Sequence, residues 1–237
     1  MKERKNVLNK KVIIKKITQN LKIDPPDEFE SPYLKKSAIL ILLVEKDSQL
    51  KIIMTSRSSK LNNHTGEMSF PGGKFDVYLD YDLKHTAIRE TVEEIGIEKN
   101  KISILGRLND LPTITGYLIR PFIGILDWND SDNFAINHQE VAHLVEIPLN
   151  YLLRKNLFTE TPMKIFEGTT IPLLSFDFKD PNINKIFHIW GASAHILAEF
   201  LKKIFEIDNI SNKYKRPNIS EINDYFKKKL KGKNLPH

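Results

Sequence analysis

The strongest constraint on the fold comes from residues 82–95, whose polar and apolar side chains alternate with the period of an α-helix. At about 100° of rotation per residue, Glu90, Glu93 and Glu94 point to one side of this helix. The opposite side carries three aliphatic residues, namely Ile88, Val92 and Ile95. Gly96 follows directly, and glycine often ends a helix because it adopts left-handed backbone angles without steric cost. We predict a helix with one face in a core and three carboxylates on a solvent-facing side.

Three acidic side chains at these spacings destabilise an isolated helix by a few tenths of a kcal/mol for each pair. Arg89 lies four residues before Glu93 and can form an ion pair with it. A magnesium ion would compensate the charge more fully, because it prefers carboxylate oxygens together with water and substrate phosphates. Taken alone, however, three glutamates on a helix are more often an ordinary charged surface, so the pattern leaves both interpretations open.

The remaining segments predict a layered fold with many strands. An apolar run ending at Val44 and a second run at residues 50–54 flank a polar turn, which is typical of a hairpin. Further strands are expected at residues 66–70, 102–107, 118–126, 140–146, 162–166 and 171–177, and further helices within residues 1–22, at residues 191–206 and from Ser220 onward. Such a mixture favours an α/β or α+β architecture in which helices cover a mixed sheet.

Composition excludes several classes of function. The 237-residue chain has no cysteine, which excludes disulfides, thiol catalysis and cysteine–zinc sites. A cysteine-free chain fits a reducing compartment, and we expect a cytoplasmic protein. The longest apolar run, residues 38–44, is too short to cross a bilayer, so no membrane partner is expected.

The net charge of +6 is concentrated at the two ends of the chain. Residues 1–16 have seven basic and one acidic side chain, and residues 202–237 have ten basic and four acidic, so the region between them is net negative. Basic ends can contact nucleic acid. A solvated, partly helical tail is the commoner interpretation, and we expect no nucleic-acid partner.

The carboxylate helix and the glycine before it resemble the Nudix box, G-x5-E-x7-R-E-U-x-E-E-x-G-U, where U is aliphatic. The matching residues are Gly73, Arg89, Glu90, Glu93, Glu94, Gly96 and Ile97. Fifteen residues separate Gly73 from Arg89, two more than in the pattern, and Thr91 replaces an aliphatic residue. The first Glu of the pattern has no exact counterpart, although Asp80 or Asp82 stands near its place.

The resemblance implies a Nudix α/β/α sandwich that hydrolyses a pyrophosphate bond by metal-activated attack of water. It implies that Mg²⁺ or Mn²⁺ is held by Glu90, Glu93, Glu94 and Gly73. Arg89 would orient Glu93, and Glu93 and Glu94 would act directly in catalysis. The general base varies within the family; Glu140 is our candidate, and its alternative is a surface glutamate at a strand edge.

Residues 53–73 resemble the signature of coenzyme A pyrophosphatases, L-L-T-x-R-S-x3-R-x3-G-x-V-x-F-P-G-G. Identical residues are Thr55, Arg57, Ser58, Gly66, Phe70, Pro71, Gly72 and Gly73, whereas Asn62 replaces an arginine. This resemblance implies a coenzyme A-like substrate, cleaved to 3′,5′-ADP and 4′-phosphopantetheine. The residues expected to bind the substrate are Arg57, Ser58, Asn62, Phe70 and Gly72. Arginine suits this task because its planar fork matches a phosphate.

Two alternative functions stay open, and the sequence divides into three segments. The substrate could instead be a dinucleotide, ADP-ribose or a nucleoside triphosphate. A non-catalytic Nudix-fold module that binds RNA is less favoured, because such modules usually lose box carboxylates. We divide the chain into a basic N-terminal arm (residues 1–35), a Nudix domain (36–206) and a basic, helical C-terminal extension (207–237), and a homodimer stays open.

Overall fold

The computed structural model describes residues 9–58, 66–129, 131–166, 169–208 and 216–233. The helices are α1 (Lys10–Ile23), α2 (Leu83–Ile95), α3 (Leu149–Leu152), α4 (Gly191–Phe205) and α5 (Ile219–Lys233). The strands are β1 (Lys35–Lys46), β2 (Gln49–Arg57), β3 (Met68–Ser69), β4 (Gly72–Lys74), β5 (Ile102–Arg107), β6 (Leu111–Pro112), β7 (Tyr117–Leu126), β8 (Val141–Pro148), β9 (Thr159–Phe166), β10 (Thr169–Asp180) and β11 (Lys185–Trp190).

Strand β1 lies at the centre of an eight-stranded mixed sheet. It pairs in parallel with β7 and antiparallel with both β2 and β4. Its turn into β2 consists of Asp47 and Ser48, whose positive φ angles of 54° and 56° are typical of a two-residue hairpin. The predicted hairpin is therefore confirmed. Strands β9, β10 and β11 form a second, three-stranded antiparallel sheet.

The apolar run in β1 is continuous because helices cover both faces of the sheet. Alternate side chains point to opposite faces. Leu40 and Leu42 pack on one face against Ala87 and Ile88 of α2. Ile41, on the other face, belongs to the core layer built with α1 and α4. These two layers confirm the predicted arrangement of helices on both sides of a mixed sheet.

Helices from both predicted arms pack against this body. In α1, Ile13, Ile17 and Leu21 are buried in the same core layer as α4. The side chain of Asn20 donates hydrogen bonds to two carbonyl oxygens at the C-terminal end of α4, at 3.2 and 3.1 Å. In α5, Ile222 packs against the start of β1 and against β7. The division at residues 35 and 206 stays a prediction.

Four of the described elements, namely β4, β6, β11 and α3, were not predicted from the sequence. Strands β4 and β6 have only three and two residues. Strand β11 buries only Phe187 and Ile189 among exposed residues, so its apolar signal is short. Helix α3 is a single turn of four residues. None of the helices in the described parts of the chain is long and apolar enough to cross a bilayer.

Helix α1 offers a direct test of whether the N-terminal segment belongs to the folded unit. Ile17 is fully buried, so Ile17→Ala should destabilise the protein by about 2–5 kcal/mol through lost burial and a cavity. Val12 on the same helix is 62% exposed, and Val12→Ala is the matched control, with an expected change below about 0.5 kcal/mol. The measurement is the midpoint of urea unfolding. Equal midpoints for the two variants would mean that α1 contributes nothing to the fold.

Candidate active site

Helix α2 begins and ends at residues of types that commonly cap helices. The Asp82 side chain accepts a hydrogen bond from the backbone N–H of His85 at 2.6 Å, and Gly96 closes the helix with a φ of 66°. The buried face consists of Thr86, Ala87, Ile88, Thr91 and Ile95. Thr91, where the box pattern has an aliphatic residue, satisfies its hydroxyl by donating to the Ala87 carbonyl at 2.6 Å.

Asp80 fixes the side chain of Arg89. The Asp80 side chain is fully buried and accepts hydrogen bonds from Nε and Nη2 of Arg89, both at 2.9 Å. These bonds hold the pKa of Asp80 well below its usual range, with further help from the backbone N–H of Asp76 and the Thr86 hydroxyl. Asp82 caps the helix, so Asp80 is the one of the two candidate aspartates that contacts Arg89.

The fork of Arg89 connects this buried anchor to the carboxylate face. Its Nη1 donates to Glu93 Oε2 at 2.9 Å, which is the expected i,i+4 contact. Its Nη2 also contacts Glu90 Oε1 at 3.0 Å. A single arginine thereby orients two of the predicted metal ligands.

Two glycines allow β4 to lie against both β1 and α2. A Cβ atom at Gly72, whose φ is 150°, would lie 2.4 Å from the Ala38 carbonyl oxygen. A Cβ atom at Gly73 would lie 2.3 Å from the carboxyl carbon of Glu90. Only glycine fits at position 72, whereas a side chain at position 73 would displace the Glu90 carboxylate, which lies directly over the Gly73 backbone.

Glu94 is far less exposed than the helical pattern predicts. Its carboxylate accepts hydrogen bonds from the Thr55 hydroxyl, at 3.4 Å, and from the backbone N–H of Gly72. Burial, followed by the negative charges of Glu90 and Glu140, raises the pKa of Glu94 to about 8. The expectation of a wholly solvent-facing carboxylate side is wrong here, because β2 and β4 cover its far edge.

Glu90 and Glu93 also differ from each other in how far their side chains are exposed. The Glu90 side chain is 19% exposed, and burial raises the pKa of its carboxyl group although the Arg89 charge opposes the shift. The Glu93 side chain is 49% exposed. Unlike Glu90 and Glu94, Glu93 therefore stands largely in solvent.

Glu140 reaches this region from the loop before β8. Its backbone carbonyl accepts a hydrogen bond from the Ser58 N–H at 2.8 Å, which ties the loop to the end of β2. Its side chain is exposed, and its charge raises the pKa of both Glu90 and Glu94. The structure thus brings the predicted distant carboxylate close to the helix that carries the box.

These carboxylates fit a hard cation by their chemistry. Two of them, Glu90 and Glu94, are largely removed from water beside one another, and a cation relieves both the repulsion and the loss of hydration. No three acidic or imidazole groups among the described residues already converge at metal-binding distances. A bound Mg²⁺ would accordingly draw part of its coordination from water and substrate phosphate.

The predicted substrate residues lie in different settings. Arg57 is exposed at the end of β2, and Ser58 is buried next to it. Phe70 is 1% exposed and packs in the core, where it supports the turn into β4, so its direct contact with substrate stays a prediction. Asn62 lies outside the described residues. Thr55 is identical to the residue at its position in the signature, but no role was predicted for it from the sequence.

The raised pKa of Glu94 predicts a pH-dependent stability of the metal-free protein. In the folded state this carboxyl keeps its proton up to about pH 8, whereas in the unfolded chain it loses it near 4.5. The folded state therefore binds more protons between these values, and stability falls as pH rises through this window. Glu94→Gln should remove the loss and stabilise the protein at pH 8 by on the order of a few kcal/mol, with little effect at pH 4.5.

The measurement is the melting temperature in chelator at both pH values. Glu98→Gln, which changes an exposed side chain just beyond α2, is the matched control. If wild type and Glu94→Gln differ in stability by the same amount at both pH values, Glu94 does not have a raised pKa.

Known proteins resemble this chain over most of its length. The NUDIX domain family matches residues 34–158. Mitochondrial Nudix hydrolase 15 of Arabidopsis thaliana is 35% identical over 184 residues, which cover 76% of this chain and 61% of that protein. The Nudix hydrolase NudL of Yersinia enterocolitica is 38% identical over 168 residues, covering 71% and 80%. The peroxisomal coenzyme A diphosphatase NUDT7 of Mus musculus is 29% identical over 161 residues, covering 68% and 66%.

The chain spans about three fifths of the length of the plant relative. The family match covers more than half of this chain, and it contains the carboxylate helix, both glycines of β4 and Glu140. Helices α1, α4 and α5 lie outside it. The extent of this match and the identity to the plant and bacterial relatives establish that the chain belongs to the Nudix hydrolase family.

Proposed function

We propose that this protein hydrolyses the pyrophosphate bond of coenzyme A or its derivatives to 3′,5′-ADP and 4′-phosphopantetheine. The observation that carries the hydrolytic part is the pair of covered carboxylates, Glu90 and Glu94, beside the Gly72–Gly73 backbone. The coenzyme A part is supported by the signature at residues 53–73 and by the similarity to a coenzyme A diphosphatase.

Glu90, Glu93, Glu94 and the Gly73 backbone would hold Mg²⁺ or Mn²⁺. A bound ion would neutralise charge on the pyrophosphate oxygens and lower the pKa of a coordinated water. Arg89, anchored by Asp80, positions Glu93. Glu140 is exposed at the rim of the carboxylate group, and we assign it as the group that accepts the proton of the attacking water.

Arg57 is our candidate for binding a phosphate of the substrate. It lies two residues beyond Thr55 on β2, and Thr55 contacts Glu94, so the exposed Arg57 side chain stands near the carboxylate group. A guanidinium can hold a phosphate through two parallel hydrogen bonds. The 3′-phosphate of coenzyme A and its pyrophosphate both offer such a target.

The alternative substrates, the location of the protein and its assembly belong to the same proposal. A dinucleotide, ADP-ribose or a nucleoside triphosphate is the alternative substrate, because Asn62 replaces a signature arginine. A cytoplasmic location and a C-terminal extension (residues 207–237) without a role in hydrolysis are inferred from the sequence alone, and a homodimer stays open.

The test is incubation with coenzyme A and Mg²⁺ or Mn²⁺, followed by detection of 3′,5′-ADP. Glu94→Gln should reduce turnover by roughly 10²-fold or more, because it removes a ligand from an ion that stabilises transition-state charge. Glu98→Gln should leave turnover unchanged. Wild-type turnover in Glu94→Gln would refute the metal site, and cleavage of ADP-ribose but not coenzyme A would refute the substrate.

The role of Arg57 is tested by comparing coenzyme A with dephospho-coenzyme A. If Arg57 binds the 3′-phosphate, Arg57→Ala should lose roughly ten- to hundredfold more kcat/KM with coenzyme A, the range expected for a charge-assisted hydrogen bond. The 3′-phosphate is the only difference between the substrates, so general damage cancels. Lys155→Ala, at an exposed cation, is the control variant. Equal losses with both substrates would assign Arg57 to the pyrophosphate or to structure.

A further inference from the structure

A second cavity lies on the face of the sheet opposite to α2. Its volume is about 240 Å³, it opens to solvent, and it is bordered by α4, the segment before β1, the β5–β6 connection and the start of α5. Most of its wall is apolar, formed by Phe29, Leu108, Leu111, Pro121, Ile196 and Ile219. Of these, Leu108, Leu111 and Ile196 belong to the core layer shared with α1 and α4. The cavity is therefore separated from the carboxylate site by the sheet.

Arg216 places a positive charge in this apolar cavity. Its guanidinium makes no hydrogen bond or ion pair with any residue that the structure describes. Arg216 is partly covered by protein atoms, and this burial lowers its pKa to about 10, although the nearby Glu199 charge opposes the shift. A partly buried charge without an ion-pair partner among the described residues is costly, and a bound anion would relieve that cost.

His195 adds a second polar group without a partner. Its side chain is 9% exposed, and its Nδ1 atom has no hydrogen-bond partner among the described residues. Burial, and then the nearby charge of Arg216, lowers the pKa of the imidazole to about 3, so the ring is neutral at physiological pH. Buried polar atoms without partners are rare, and two around one cavity indicate a missing ligand.

The charges around the cavity indicate how many negative charges the ligand carries. Both oxygens of Asp110 accept hydrogen bonds from Arg120 at 2.8 Å, so this carboxylate is already neutralised. Glu199 and the exposed Asp27 also line the wall. The negative charges of Glu199 and Asp27 repel a nearly doubly charged phosphate monoester more strongly than a ligand that carries a single negative charge.

A carboxylate matches these two polar groups. The arginine fork binds a carboxylate through two parallel hydrogen bonds, and a neutral histidine can donate one more from Nδ1. The apolar wall suits a hydrocarbon body. A cavity of about 150 Å³ in another protein holds benzene, so 240 Å³ accommodates a ring with one carboxylate group.

We propose that this cavity, through Arg216 and His195, binds a small organic carboxylate with an apolar body. Both residues lie outside the matched family region, so the site is a property of this chain beyond the hydrolytic domain. The proposal does not depend on which pyrophosphate the enzyme cleaves.

The probe is benzoate, and its binding is measured by isothermal titration calorimetry. Benzoate should bind at least tenfold more tightly than its neutral isostere benzamide and more tightly than phenyl phosphate. Arg216→Gln should weaken benzoate roughly ten- to hundredfold, the range for a charge-assisted hydrogen bond, without affecting benzamide. Arg154→Gln removes an exposed arginine outside the cavity and should change nothing. No binding of benzoate at millimolar concentration, or equal binding to Arg216→Gln, would overturn the proposal.

Two further measurements separate the site from protein stability and from the substrate. Without ligand, Arg216→Met should melt at a higher temperature than wild type, because it removes an unpaired, partly buried charge; a lower melting temperature would mean that Arg216 has a structural partner and would refute the site. Benzoate should bind Glu94→Gln with wild-type affinity. Displacement of benzoate by coenzyme A would assign the cavity to the substrate and refute a separate ligand.

Discussion

The active site depends on the bidentate ion pair between Asp80 and Arg89. Asp80 is buried in the long connection between β4 and α2, and it holds two of the three guanidinium nitrogens. The guanidinium in turn fixes Glu93 and Glu90. One contact therefore joins the loop, the helix and the carboxylate face.

The surrounding structure holds the carboxylates of Glu90 and Glu94 close to each other, so their negative charges repel. Glu90 lies over the Gly73 backbone, and Glu94 is covered by β2 and β4, so both carboxylates are largely removed from water. Their raised pKa values express this constraint. A cation held by these carboxylates would supply positive charge that relieves their repulsion, so the chain's own residues preorganise the site.

Much of the fold and part of the site follow from the sequence. The period of residues 82–95 and the apolar run in β1 predict the carboxylate-bearing helix and the central strand, because burial on one face or on both faces imposes these patterns. The depth of Glu94 could not be predicted, since it arises from Thr55 and Gly72, which come from other strands. The choice between Asp80 and Asp82 depended in the same way on tertiary contacts. Neither Arg216 nor His195 belongs to a local pattern, so their shared cavity appears only in three dimensions.

The packing of α1 against α4 has a consequence for synthesis of the chain. Asn20 contacts carbonyl groups 183 and 184 positions later in the sequence. At translation rates of about 5–20 residues per second, α1 waits roughly ten to forty seconds for its partner. During that interval Ile13, Ile17 and Leu21 form an apolar stripe on a strongly basic nascent segment. The growing polypeptide thus exposes these apolar side chains until α4 has been synthesised and covers them.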